Sequence, residues 1–179
     1  MNNSSKNFSE NEFIDPVFSK KIYLVFLIII SLWIMLIILA PFLMSAGGAG
    51  EKISSVIYLF FSKVCHQKDE RSFHVFGHNL GVCSRCLWIY LGFFAGTLVY
   101  PLIKKISNVK LPSVWYLIIP VILLGADVIA DSSGLISNTF FTRSVTGCLT
   151  GFVLVFFLIP GFLKFFYEVN LFLKNKLSA

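Results

Sequence analysis

Charge is what this sequence has least of: Asp, Glu, Lys and Arg make up 13% of its 179 residues, against 56% hydrophobic ones and a mean hydropathy of +0.81. That balance excludes a water-soluble globular domain, in which roughly 25% of residues are charged. A nucleic-acid surface is excluded too, because the net charge of +6 is spread along the chain and nowhere gathered into a basic patch. There is no phosphate-binding loop, no nucleotide fingerprint and no Ser/His/Asp set that can be assembled. Internal repeats, low-complexity tracts and any linker long enough to separate a pair of domains are also missing. Histidine and cysteine are scarce, with three and four residues. Yet all three histidines and three of the cysteines fall in one stretch, "CHQKDERSFHVFGHNLGVCSRC", residues 65–86.

What the chain does have is long hydrophobic runs. A helix needs about 20 apolar residues to cross roughly 30 Å of hydrocarbon, and four segments qualify, at about 22–44, 83–103, 113–130 and 142–167. The first, "IYLVFLIIISLWIMLIILAPFLM", contains no charge. Lys20 and Lys21 before it and "SAGGAG" after it resemble the flanks of a cleavable signal. Its length exceeds the roughly 7 to 15 residues of a signal core, so it reads as a retained helix. "SVIYLFF", residues 55–61, is too short to span and is expected at the interface or against the bundle. The expected fold is all-α, an integral membrane bundle of four transmembrane helices with a Cys/His-rich loop between spans one and two. Residues 1–21 are expected to form a mobile polar tail and residues 22–179 a single membrane domain.

With four spans, both termini share a side with the loop between spans two and three. Nine of the 15 Lys and Arg residues fall on that side and six on the other. Basic residues accumulate in the cytoplasm, so both termini are expected inside and the Cys/His loop outside, in a multi-pass protein of the cell membrane. The lipid bilayer is then the first partner, and the basic excess serves mainly to anchor the protein in it.

This topology places the end of span three, "GADVIADSSG", and the start of span four, "SNTFFTRSVTG", on the same side as the Cys/His loop. Asp127 and Asp131 are four residues apart, so on a helix their carboxylates project from one face. An isolated carboxylate there costs about 2.5 to 3.5 kcal/mol on insertion scales and needs a partner. Arg143, 12 residues beyond Asp131, is the expected one. Two readings stay open: an Asp–Arg lock between two helices, or a polar site open to the outer face. Thr146, Gly147, Thr150 and Gly151 continue the Arg143 face as a small, hydroxyl-bearing stripe. "GCLTG" there and "GFFAG" at 92–96 are small-xxx-small patterns, read as close helix contacts. Cys148 reads as a packing residue.

Cys83 and Cys86 are three apart at the start of span two, so one helical turn puts both sulfurs on one side, with Tyr90 a turn deeper. Upstream lie Cys65 and His66, then His74 and His78. Thiolates and imidazoles at this spacing suit a tetrahedral zinc or another soft transition metal, and the expected ligand set is Cys65, His66, Cys83 and Cys86. Adjacent ligands strain a single site, so His74 or His78 is an alternative to His66. Two further readings remain: a structural disulfide from Cys65 to Cys83 or Cys86, and a redox dithiol at a helix N-terminus with Arg85 between its sulfurs.

The succession "CHQ", "RSF", "GVCSRCLWIYLGFFAG", then an intramembrane Asp and "RSVTG" resembles the family of predicted prokaryotic membrane proteins known as domain of unknown function 2085. The resemblance runs from about residue 60 to residue 152. It covers Cys65, His66, Arg71, Cys83, Arg85, Cys86, Tyr90, Gly92, Asp127 and Arg143. Trp88 stands where the pattern carries a small residue, often glycine, which implies less room behind the second cysteine. What the resemblance implies is a small multi-span membrane protein and no particular activity. Quinone-coupled enzymes that make disulfides are similar in architecture only, since they need a second thiol pair and no second C-x2-C exists here.

The functional expectation is a metal-dependent membrane enzyme acting on a lipid-like substrate, with a Cys/His metal site at the rim and Asp127, Asp131 and Arg143 below, Tyr90 lying beneath the cluster. In that reading the metal activates water or polarises a head group, Asp127 moves protons and Arg143 pairs with a phosphate or carboxylate. The alternatives are a thiol-disulfide oxidoreductase using Cys83 and Cys86 with a quinone-like substrate, or a non-catalytic metal-handling or assembly subunit. The sequence leaves the oligomeric state open.

Overall fold

The computed structural model describes residues 13–134 and 137–177. Its helices are α1 Pro16–Ala46, α2 Ala49–Phe61, α3 Ser84–Ile103, α4 Trp115–Ser132 and α5 Phe140–Leu177. A short hairpin, β1 His74–Val75 against β2 His78–Asn79, lies in the loop between α2 and α3. The fold is thus all-α, and α1, α3, α4 and α5 are long and apolar enough to cross a membrane.

Local signals set where α1 begins. Asp15 caps it by accepting the Val17 N–H at 2.9 Å, and Pro16 takes the first helical position, where a missing N–H costs nothing. The helix therefore starts six residues before Ile22, and Lys20 and Lys21 lie inside it instead of flanking it. The tail expected over residues 1–21 lies outside the described residues up to residue 12. The Ile14 N–H reaches the Ser107 carbonyl at 2.9 Å and ties the start of α1 to the loop between α3 and α4. At the other end of α1, Gly47 and Gly48 take positive φ (67° and 59°), which only glycine adopts readily, and the chain reverses into α2. With 13 residues α2 cannot span; it packs back along α1, where Ser54 donates to the Ala40 carbonyl at 2.7 Å and Phe61 sets its ring against Trp33.

In lipid the bundle gains little from burying hydrocarbon, so close packing must hold it together. The two small-residue patterns provide this by meeting each other. α3 and α5 run parallel, and a Cβ on Gly151 would lie 2.0 Å from the Ile89 carbonyl oxygen, one on Gly92 2.2 Å from that of Cys148. Gly96 and Gly147 are nearly as crowded. Cys148 thus contributes backbone to the seam, in keeping with a packing residue. α1 runs antiparallel to this pair: the Tyr23 hydroxyl donates to the Thr97 carbonyl at 2.7 Å, and Tyr23, Ile30, Ile34, Phe93, Tyr100, Val155, Ile159 and Leu163 form the core. α4 packs on α5 and buries no hydrophobic residue of its own.

Candidate metal centre

The site is at the end of the bundle where α3 and α5 begin. Cys65 follows α2 in a tight turn, its N–H bonded to the Phe61 carbonyl at 2.9 Å. Gln67 then takes a left-handed φ of 48°, and its side-chain amide donates to the carbonyls of Tyr58 (2.9 Å) and Gly81 (2.8 Å). This clamp draws the segment before α3 against the end of α2. Two backbone N–H groups point at the Cys65 sulfur as a result, Gln67 at 3.4 Å and Cys83 at 3.2 Å. Cys83 is the residue preceding α3 and Cys86 lies within its first turn. The Sγ atoms of Cys65, Cys83 and Cys86 lie within 4.8 Å of one another.

The histidines do not join them. His66 is exposed; it lines the neighbouring pocket but stands outside the sulfur group. His74 pairs with Asp69 at 2.8 Å, and His78 faces a separate hollow bordered by Tyr58 and Gln67. Of the four expected ligands the structure brings the three sulfurs together and leaves His66 apart from them. Four ligands at about 2.3 Å around zinc put sulfurs roughly 3.8 Å apart, so the three thiols need only a small contraction to hold a soft ion and leave a fourth position open. No carboxylate stands among them, which disfavours calcium and magnesium.

Donating a hydrogen bond to Cys83 raises the Cys65 thiol above its ordinary value.

Beside the sulfurs the two carboxylates of α4 divide three arginines between them. Asp131 pairs with Arg143 of α5 at 3.1 Å and with Arg71 of the loop at 2.9 Å. Asp127, one turn deeper, pairs with Arg85 of α3 and meets the Thr146 hydroxyl at 3.5 Å. Arg143 thus serves Asp131 and not Asp127. α4 and α5 are antiparallel, so the first turn of α5 stands level with the last turn of α4, and Thr146 stands level with Asp127. Asn138 closes the turn between them, donating through its amide to the Asp127 carbonyl at 2.7 Å and through its N–H to Asp131 at 3.3 Å. The "RSF" segment is placed by the same contacts: Ser72 donates to the Lys68 carbonyl and Phe73 packs on Phe140 at the start of α5.

Sulfurs and arginines open on one pocket of about 280 Å³, lined by Cys65, His66, Lys68, Arg71, Cys83, Arg85, Cys86 and Arg143 with Val64 and Val128. Asp127 and Asp131 do not line it; they stand behind the guanidinium groups. Tyr90 sits one turn below Cys86, its ring edge-on to Trp33 at 5.5 Å, and lines an apolar groove instead. Sequence reasoning missed Gln67, whose unusual φ has no side-chain signature, and the pairing of Arg71. The "CHQ" and "RSF" patterns were the signals for both.

The family model described as "Predicted membrane protein (DUF2085)" matches residues 65–157, which include every residue of the sulfur cluster and nearly all of the loop that carries it. An uncharacterized protein of Methanocaldococcus jannaschii is 38% identical over 152 residues, 83% of this chain and 97% of that protein. An uncharacterized protein of Methanothermobacter thermautotrophicus is 49% identical over 39 residues, 22% of this chain and 35% of that one. No solved structure matches.

Proposed function

This chain belongs to the DUF2085 family of predicted membrane proteins, and from its sulfur cluster we propose that it is a metal-dependent membrane enzyme acting on a lipid-like substrate. The observation that carries the reading is the convergence of three thiols from two separate segments beside a pocket lined by three arginines. Cys65, Cys83 and Cys86 would hold zinc or a similar soft ion, which supplies a Lewis acid with one position left for substrate or water. The N–H groups of Gln67 and Cys83 aimed at the Cys65 sulfur support its use as a thiolate. Arg71, Arg85 and Arg143 bind and orient an anionic group in the pocket. Asp127 and Asp131 position those guanidiniums, since both carboxylates are spent on arginine contacts and neither reaches the pocket.

Protein purified in detergent without air and without a histidine tag should carry close to one zinc, iron or copper per chain, and Cys83→Ser should lose it. Metal-free wild-type protein would overturn the reading. The second reading, a thiol-disulfide oxidoreductase, draws on the same proximity of Cys83 and Cys86. Among the described residues Cys148 lies apart in the helix seam and offers no relay partner. Alkylation trapping in intact cells separates the two: cycling between dithiol and disulfide supports the oxidoreductase, and a constant thiol state supports the metal.

A further inference from the structure

Below the sulfur cluster, α1, α3 and α5 leave an apolar groove of about 700 Å³ that no other part of the described chain fills. Its wall runs from Trp33 and Tyr90 at the thiol end to Ile22 and Phe166 at the other. That volume falls within the roughly 300 to 1,000 Å³ of sites that enclose small molecules. The groove and the arginine pocket border successive turns of α3: Cys86 lines the pocket and Tyr90, one turn along the same helix, lines the groove.

We infer that the two cavities together bind one amphiphile, a lipid with a phosphate head, the head on Arg71, Arg85 and Arg143 and the hydrocarbon tail in the groove. Charge chooses the head. Three arginines and Lys68 face two carboxylates, an excess of two positive charges, and a divalent ion on three thiolates would still leave one. A phosphate brings the opposite sign and the acceptor oxygens that guanidinium forks match. A zwitterionic choline head would bring a further cation into a cationic pocket. The tail side is just as selective, because Tyr90 and Trp33 are the polar-tipped side chains among the groove's residues. The inference names the substrate class for the proposed enzyme and rests on that reading only for chemistry, since binding needs the arginines and the groove alone.

Trp33 provides the readout. In the full chain with Trp88→Phe and Trp115→Phe, quenching of Trp33 is titrated in neutral detergent with brominated dioleoyl phosphatidic acid, brominated dioleoyl phosphatidylcholine and, as competitor, inorganic phosphate. Phosphatidic acid should bind on the order of tenfold more tightly than phosphatidylcholine, Arg71→Gln should erase that preference, and Val25→Phe, in the groove's wall, should weaken both lipids. Equal affinity for the two lipids would overturn the proposal, leaving a groove that holds any tail. Displacement by phosphate at the lipid's own concentration would assign the pocket to a free anion and overturn it as well. Arg71→Gln and Val25→Phe both keep the Asp127–Arg85 pair, so loss of binding with an unchanged melting temperature reports the site and not the fold. Metal content of the same samples separates this result from the enzyme reading: metal without head-group preference sinks the inference alone, and preference without metal sinks the metal reading alone.

Discussion

Arg85 sits between the two cysteines of the C-x2-C turn, a place where a guanidinium would stabilise a thiolate, and its ion pair is with Asp127 on α4. The two side chains are largely buried, 15% and 11% exposed, so each depends on the other for its solvation. Replacing one partner leaves an uncompensated buried charge, which costs about 3 to 5 kcal/mol. Asp127→Asn should therefore lower the melting temperature in detergent sharply, whereas Asp127→Leu combined with Arg85→Met should recover most of the loss. If the double variant is no more stable than the single one, the pair does not act as a unit. A comparable dependence holds at Gln67, whose amide joins the end of α2 to the segment before α3 and so fixes the distance from Cys65 to Cys83.

At the level of elements, α3 and α5 form the rigid centre and α4 is an attachment. α4 has no buried hydrophobic residue, and what holds it to the rest is polar: Asp127 and Asp131 on their arginines, and the Thr150 hydroxyl on the Pro120 carbonyl at 3.2 Å. The α3–α5 seam is different, because glycine alone permits its approach. Gly151→Ala would put a methyl group 2.0 Å from a backbone oxygen that cannot yield without moving a helix. Overpacking of this kind costs about 1 to 3 kcal/mol. Gly161→Ala, in the same helix but with nothing within 4 Å, should be neutral or gain about 0.5 to 1 kcal/mol from helix propensity. Thermal unfolding of the two variants side by side checks this; equal midpoints would mean the seam is not what holds the helices.

For the molecule as a whole, the even number of spans puts the start of α1, the α3–α4 loop and the end of α5 at one end, and the sulfur cluster at the other. Nine basic residues against six predict, by the excess of basic residues on the inner side, that the first end is cytoplasmic. A membrane-impermeant amine reagent applied to intact cells should then label Lys63 or Lys68 and leave Lys174 and Lys176 untouched. The reverse pattern would put the thiols in the reducing compartment, where a metal is favoured over a disulfide still more strongly.

The amino-acid sequence by itself determined the four spans, because crossing a bilayer demands uncharged runs of a length no loop supplies. It also determined that Asp127 and Asp131 share a helix face and that Cys83 and Cys86 share a turn, since helical periodicity fixes what lies three or four residues apart. Only the tertiary structure decided who meets whom. The glycine seam sets the height of α3 against α5, the Asn138 contacts to Asp127 and Asp131 set α4 against α5, and those heights give Arg85 to Asp127 and Arg143 to Asp131. The sulfur cluster followed the same rule: Cys65 and His66 are neighbours in sequence, yet with the loop clamped by Gln67 onto the Tyr58 and Gly81 carbonyls Cys65 meets the sulfurs of Cys83 and Cys86 and His66 does not, a pairing that depends on contacts distant in sequence.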